Sequence, residues 1–393
     1  MTTSTLKRRR ITCITGTRAD YPRVKSVIRR AQQSNILEID IVVTGSHLLE
    51  DYGNSIQEII DDGFAIKSTV PMYEDEFNSP YGMAKSAARC AMGLADALKD
   101  LNPDLVLLTV DRVETLAAAM AASLMNFPIA HIQGGELTGT IDESIRHAVT
   151  KMSHIHFPAT NDAAQRIIQM GETPERVFTV GCPYIDEIRN CTLASKTALA
   201  EKYGFDPHKR LIILTQHPVT TEYPAAKDQV DVTIDALQRF ADCEVMAFFS
   251  NTDAGGQEII RRLASEDFLH LMPNMKSIDF LSLMNCADVM VGNSSAAIRE
   301  APTFGLPAIN IGTRQQGRLR ASNVIDVGYD SGSIVNAINF ALNDKGFLNQ
   351  MKTISNPYGD GESSKRIIDI LETIEISDTL VQKTFSNAPI KYL

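Results

Sequence analysis

Short β-branched runs alternate with helix-patterned stretches along almost the whole chain, and few folds accommodate that alternation. A strand followed by a helix, repeated many times, builds a parallel sheet covered by helices on both faces. In the first half the strand candidates are Ile11–Thr15, Ile39–Thr44, Leu105–Thr109, Ile129–Ile132 and Ile155–Pro158. Between the first two, Tyr21, Val24, Val27, Ile28 and Ala31 recur at helical spacing, which predicts a helix over Tyr21–Gln33. The second half repeats the theme with Leu211–Thr215, Val245–Ser250, Val289–Val291, Ala308–Ile311 and Val324–Val327, and with a helix over Gln229–Phe240. Two successive α/β sets predict two doubly wound Rossmann-like domains facing one another. The 393 residues are too long for one ordinary domain and suit two.

The expected division is an N-terminal domain over 1–185, a second over 186–365, and a C-terminal helix and tail over 366–393 that packs back on the first. The hinge is expected near 180–200, around Gly181-Cys182-Pro183. The loop Asn356-Pro357-Tyr358-Gly359-Asp360-Gly361, ahead of a helix at Ser363–Ile374, could let the chain cross back. A net charge of −10 and a pI near 5.4 argue against a general nucleic-acid binder. The six cysteines form no CxxC pair and no zinc spacing, so buried free thiols and no metal site are expected. No apolar run approaches the ~18 residues of a membrane span. The basic Lys7–Arg10 run lacks a following signal-peptide core. A reduced cytoplasm, with no membrane partner, is the simplest expectation.

Neither GxGxxG nor GxxxxGK[ST] follows a strand, which argues against dinucleotide oxidoreductases and P-loop NTPases. In open parallel sheets, ligands bind beyond the carboxyl ends of the strands, so the polar residues clustered there are the candidates. The first strand runs into Gly16-Thr17-Arg18-Ala19-Asp20-Tyr21. Thr17 and Asp20 fit a helix cap, whereas Arg18 opposes the helix dipole and suits a bound anion such as a diphosphate. Leu105–Thr109 runs into Asp111 and Arg112, adjacent at a strand terminus, for which the bland alternative is a turn aspartate with a solvated arginine.

The densest stretch is His131–His147, HIQGGELTGTIDESIRH, which follows a strand and opens a helix. Thr140-x-x-Glu143 makes a capping box, so Glu143 reads as structural. Asp142 lies in the first helical turn, where a carboxylate is favourable in any case. Gly134-Gly135 permits close backbone approach to a ligand or unusual torsions. In the second half, Gly292-Asn293-Ser294-Ser295 opens a predicted helix over Ala296–Phe304. Its free N–H groups and two hydroxyls would suit phosphate, although Asn and Ser are also ordinary caps. Glu300 either reaches a ribose diol or is a solvated helix residue. Arg314 and Arg318 add positive charge after another strand, and His217 in Gln216-His217-Pro218 becomes a candidate phosphate or leaving-group contact.

Taken together, GTRADY (16–21), GSHLLEDYGN (45–54), GGELTGTIDESIRHA (134–148), QHPVTT (216–221), NTDAG (251–255), GNSSAAIRE (292–300), GTRQQGR (312–318) and YGDG (358–361) carry a family resemblance. The chain resembles the hydrolysing UDP-N-acetylglucosamine 2-epimerases of sialic acid biosynthesis over nearly its whole length. The resemblance implies a GT-B-like α/β architecture, with a nucleotide sugar between two Rossmann-like domains and no cofactor. It implies that Ser294 and Ser295 hold phosphate, Glu300 the ribose, and Arg314 and His217 the diphosphate. Arg18 and Arg112 would reach the ligand from the first domain, and Asn251 in NTDAG is a further substrate contact. Homo-oligomers, dimers or tetramers, are usual in such a family.

The implied chemistry explains the residue types. The C2 proton of an N-acetylhexosamine is not acidic, so inversion proceeds by eliminating the anomeric nucleoside diphosphate to a 2-acetamidoglucal. That step needs a positioned base and stabilisation of the departing charge. Protonation of C2 from the other face and addition of water at C1 then release N-acetylmannosamine and UDP. The candidate acid/base carboxylates are Asp111 and Asp142. Gln133 joins them in the catalytic set as an orienting residue, since an amide cannot act as acid or base near neutral pH. Many sialic acid-pathway members carry glutamate there (HIEGGE) and HGDR where this chain has Thr109-Val110-Asp111-Arg112. Related epimerases act on UDP- or GDP-linked di-N-acetylbacillosamine, which makes that sugar a second candidate substrate. The same residues also admit a GT-B glycosyltransferase, a non-hydrolysing epimerase (whose EAGLRT-like run is absent) or a non-catalytic nucleotide-sugar sensor.

Overall fold

The computed structural model describes residues 8–17, 20–50, 55–74, 80–137, 141–219, 222–250, 255–273 and 275–387. The chain divides into two compact units, 1–187 with 358–393, and 188–357. The expected boundaries were 185/186 and 365/366.

The first unit holds a six-stranded parallel sheet of β1 (Arg9–Thr15), β2 (Leu37–Thr44), β3 (Ile66–Val70), β4 (Leu105–Thr109), β5 (Ile129–Ile132) and β6 (Ile155–Phe157), in the order β3-β2-β1-β4-β5-β6. Helices cover both faces, which is why the central runs are apolar throughout rather than alternating. In β4, Leu105 and Leu107 enter one core with Tyr21, Val24 and Ile28, while Val106 and Leu108 enter another with Leu94, Leu98 and Ala118. The predicted helix over Tyr21–Gln33 is a 3₁₀ turn, Tyr21–Arg23, followed by an α-helix from Lys25 to Gln33. Val24, at φ −125°, lies outside helical geometry and separates the two.

The second unit repeats the design with β7 (Arg210–Thr215), β8 (Cys243–Phe248), β9 (Leu269–Met272), β10 (Val289–Gly292), β11 (Ala308–Ile311) and β12 (Val324–Val327), ordered β12-β11-β10-β7-β8-β9. Counted outward from its first strand, each sheet has the same order, third-second-first-fourth-fifth-sixth. That order reverses direction between β1 and β4 in one unit and between β7 and β10 in the other. Those two points are where an open α/β sheet offers a ligand crevice. The chain re-enters the first unit at Tyr358, whose carbonyl accepts from Cys182 N at 2.6 Å. The Asp186 carboxylate then accepts from Ser363 N (3.0 Å) and Ser364 N (2.6 Å), capping the helix Ser363–Thr373 from outside. Ile367, Ile368 and Leu371 complete the core around Val24 and Ile28.

All six cysteines are free thiols. Among the described residues, no helix is long and apolar enough to cross a membrane.

Candidate functional site

At the first reversal point, β4 ends in a backbone that few sequences would choose. Val110 has φ +56°, in the left-handed region that disfavours a β-branched side chain. Its N–H donates to Ile132 O (3.0 Å) and its carbonyl accepts from His131 Nε2 (2.8 Å). Burial pushes the His131 imidazole down to about 4, so it is neutral, with Nε2 protonated and Nδ1 facing the Thr150 hydroxyl at 3.3 Å. The turn delivers Asp111, which bonds to the guanidinium of Arg146. Arg146 is the largest fully buried side chain here, and its other arm donates to Glu136 O at 2.6 Å. Asp142 lies four residues ahead of Arg146 on the helix Ile141–Met152, so both share one face.

Arg112 begins the helix Val113–Leu124. Loss of solvent around its guanidinium works against its charge, but Glu114, Asp142 and Asp111 outweigh this and raise its pKa. Arg112 is exposed, as the solvated-arginine reading expects, and three carboxylates act on it as well. The next strand end, β5, carries Gln133, itself at φ +64° and 1% exposed. Its Oε1 accepts from Arg23 Nη1 at 3.0 Å.

Other residues singled out in the sequence have structural roles. The Gly134-Gly135 pair serves internal packing. A Cβ on Gly135, at φ +78°, would lie 2.3 Å from Ala163 O, and one on Gly134 would lie 2.8 Å from Thr150 Oγ1. Asp20 closes the β1 turn by accepting from Thr17 N (2.8 Å), Thr17 Oγ1 (3.1 Å), Gly16 N (3.1 Å) and Thr15 Oγ1 (3.0 Å). Glu143 faces His147 at 3.8 Å, one turn on. Arg18, Asn251 and Thr140, the other half of the Glu143 cap, lie outside the described residues.

At the second reversal point, Gly292 has φ +124°, and a Cβ there would lie 2.1 Å from Thr215 O. Only glycine lets β10 approach β7 this closely. Asn293, fully buried, then holds the β7 loop at two points. Its Oδ1 accepts from His217 N (2.7 Å) and its Nδ2 donates to His217 O (2.8 Å). The Asn293 carbonyl accepts from Arg314 Nη1 (3.1 Å) and Gln315 Nε2 (2.9 Å), which ties the loop after β11 to the same spot. His217 is pushed down to about 3 by burial and by Arg314, so it is neutral, with Nδ1 beside Ser250 Oγ at 3.4 Å. Ser294 Oγ accepts from Ala296 N at 3.3 Å. The predicted helix over Ala296–Phe304 breaks at Glu300 into Ala296–Arg299 and a 3₁₀ turn Ala301–Phe304, because Pro302 cannot continue it. Glu300 is 6% exposed, which overturns the solvated-helix reading.

The structure thus brings together Asp111, Arg112 and Asp142 in the first unit, and His217, Asn293, Ser294 and Arg314 in the second. Sequence patterns do not point to the residues that connect them. The sequence marks Arg146 as a cation in the same dense stretch as Asp142, but not as the partner of Asp111. Asn293 has the look of a cap, and nothing local announces Arg23 or His131 as partners of a strand end.

The profile of the family described as UDP-N-acetylglucosamine 2-epimerase matches residues 29–372. The chain belongs to that family. Among members of the UDP-N-acetylglucosamine 2-epimerase family, a Legionella pneumophila protein named UDP-N,N'-diacetylbacillosamine 2-epimerase (hydrolyzing) is 38% identical over 379 residues, 95% of this chain and 98% of its own. UDP-N-acetylglucosamine 2-epimerase from Neisseria meningitidis is 33% identical, over 96% of this chain and 98% of its own. The solved structure of UDP-GlcNAc 2-epimerase from Neisseria meningitidis bound to UDP-GlcNAc matches with a TM-score of 0.80 at 21% identity, over 92% of this chain and 99% of that one. At that identity the likeness speaks for the fold, two Rossmann-like units of the GT-B-like class.

Proposed function

We propose that this family member is a hydrolysing 2-epimerase of a UDP-linked 2-acetamido sugar, converting UDP-N-acetylglucosamine to N-acetylmannosamine and UDP. The observation that carries the reading is the set of charges at the first unit's reversal point: Asp111 held by a buried Arg146, and Asp142 acting on Arg112. One carboxylate takes the C2 proton as the C1–O bond breaks and UDP departs, leaving the 2-acetamidoglucal. The C2 carbon is then protonated from the opposite face while water adds its oxygen at C1. Asp111 and Asp142 are the candidates for these two transfers, and a pair of groups on opposite sides of the sugar is what inversion requires. Ser294, Ser295, Glu300, Arg314 and His217 fit the nucleotide. Arg314 supplies charge, while neutral His217 and the hydroxyls supply hydrogen bonds. Free thiols throughout suit a reducing compartment such as the cytoplasm.

A second reading, UDP-N,N'-diacetylbacillosamine as the sugar nucleotide, is favoured by the higher identity to the Legionella protein (38% against 33%). One experiment tests both. The protein is incubated with each sugar nucleotide in H₂¹⁸O, and products are read by mass spectrometry and NMR. Free UDP with the 2-epimeric sugar labelled at C1 supports hydrolysing epimerisation and identifies the sugar. A UDP-linked epimer at equilibrium would mean the non-hydrolysing reaction. Asp111→Asn and Asp142→Asn should each slow turnover at least ~100-fold, and a near-normal rate in either removes that residue from the assignment.

A further inference from the structure

Gln133 stands at the end of β5, the strand paired with the one that runs into Asp111, and its amide is held in one sense. The partner on one side is Arg23, whose Nη1 lies 3.0 Å from Oε1. A guanidinium has donors and no acceptor, so only the carbonyl end of the amide can face it. That fixes the amide's sense without reference to any ligand. The NH₂ end must then point the other way, and among the described residues Nε2 has no hydrogen-bond partner, although the side chain is 1% exposed. A buried donor left unmet is costly, on the order of 1–3 kcal/mol. The backbone adds to the cost, since Gln133 is held at φ +64°. The unmet donor and the left-handed backbone coincide at a strand end next to the reversal point, where an open sheet offers a ligand crevice.

From this, we infer that Gln133 is a sugar-recognition residue whose amide NH₂ donates to the acetamido carbonyl of the nucleotide sugar, with Arg23 as the positioning residue that prevents the amide from flipping. The inference rests on the reading of the protein as an epimerase of 2-acetamido sugars. A neutral donor suits a neutral acceptor, and a carbonyl is the strongest neutral acceptor that an N-acetylated hexose carries. A phosphate would call for a cation, which Gln133 does not offer. A carboxylate at this position would be acceptor-only when ionised and would pair with Arg23 as an ion. Glutamine is therefore a different device, and it does no proton transfer.

The test compares wild type, Q133M, Q133E, R23M and the R23M/Q133M double variant by calorimetric Kd and by turnover. The ligands are UDP-GlcNAc, UDP-N,N'-diacetylbacillosamine, UDP-glucose and UDP. Q133M should bind the acetamido sugars about 10-fold more weakly while its Kd for UDP and UDP-glucose stays at the wild-type value, since neither carries the carbonyl. Unchanged UDP binding also shows that the variant is folded. Q133E should do no better than Q133M at any pH. R23M should share the loss for the acetamido sugars, and the double variant should be no weaker than Q133M alone. Wild-type affinity in Q133M, an equal loss for UDP-glucose, or turnover in Q133E at or above wild type would each overturn the role of Gln133. Additive losses in the double variant would overturn the role of Arg23. Binding of the acetamido sugars without turnover by the wild type would sink the epimerase reading, while the Kd comparison would still decide Gln133. Failure of the wild type to bind them would sink both.

Discussion

Val110 offers a direct measurement of the strain at the end of β4. A non-glycine residue in the left-handed region costs about 1–2 kcal/mol, and a β-branched one sits at the upper end. At an ordinary buried strand position, glycine is worse than alanine for two reasons. It loses one more buried carbon, worth about 0.8 kcal/mol, and about 0.5–1 kcal/mol of backbone entropy. The gap should therefore be about 1.5 kcal/mol at Val106, in the middle of β4 and 0% exposed. At Val110, 8% exposed and at φ +56°, alanine retains most of the left-handed penalty and glycine none of it, which offsets the gap almost completely. The assay is urea unfolding of V106A, V106G, V110A and V110G. It is followed by tyrosine fluorescence and circular dichroism, since the chain has no tryptophan. V110G should match V110A within about 0.5 kcal/mol, while V106G falls about 1.5 kcal/mol below V106A. An equal gap at both positions would refute the claim that Val110 is strained.

Replacing Arg146 with methionine leaves Asp111 and the Glu136 carbonyl without their shared donor. It should cost about 3 kcal/mol in urea unfolding and more than 10-fold in turnover. R146K keeps the charge but not the fork, so wild-type turnover in R146K would show that the two-armed geometry is not used. Asn293→Ala removes both bonds to the His217 backbone and should weaken UDP binding about 10-fold by calorimetry. Asn293→Asp should not restore it, because a carboxylate cannot donate to His217 O. His47, His131 and His217 are held near 4, 4 and 3 by burial, below their ordinary 6.5, so the unfolded chain takes up protons first as the pH falls. Stability should be fully present above pH 6.5 and decline as the pH falls toward 4 and below. The urea midpoint followed across that window checks this, and H131Q should flatten the slope. A midpoint that stays level from pH 7 to 4 would contradict the buried, neutral assignment.

What the sequence made legible follows from where water is excluded. The central strands of each sheet are covered on both faces, so LVLLT and RLIILT stand out as continuous apolar runs. The edge strands β3 and β9 went unread for the opposite reason. IKSTV alternates half-buried and exposed positions up to its one buried residue, Val70, and LHLM likewise has one buried residue. Asp111, Gln133, His217 and Ser294 were legible as site candidates because strand ends in open sheets are where ligands bind. The relations that hold them are contacts between distant segments, such as Asn293 with His217 and Arg146 with Asp111. No local pattern encodes such a pair. The left-handed backbone at Val110 was the least readable feature, because valine is the residue local propensity would least assign there.

Both units use one strand order, yet their reversal points carry opposite kinds of polar group, and the difference is chemical rather than architectural. In the first unit, ionisable groups are set against one another: Arg146 with Asp111, and Arg112 with Glu114, Asp142 and Asp111. Such a site can move protons and compensate charge as it shifts. In the second, the buried hub is an amide, the imidazole is neutral, and the loops are joined through backbone carbonyls and hydroxyls. The amide and the hydroxyls exchange no proton near neutral pH, and the imidazole stays neutral there. That arrangement can hold a ligand in one orientation while leaving its charge to Arg314. The two units thus differ in chemistry, ionisable groups in one and neutral polar groups in the other. The strand order common to both units would not produce that difference without the residues at the strand ends.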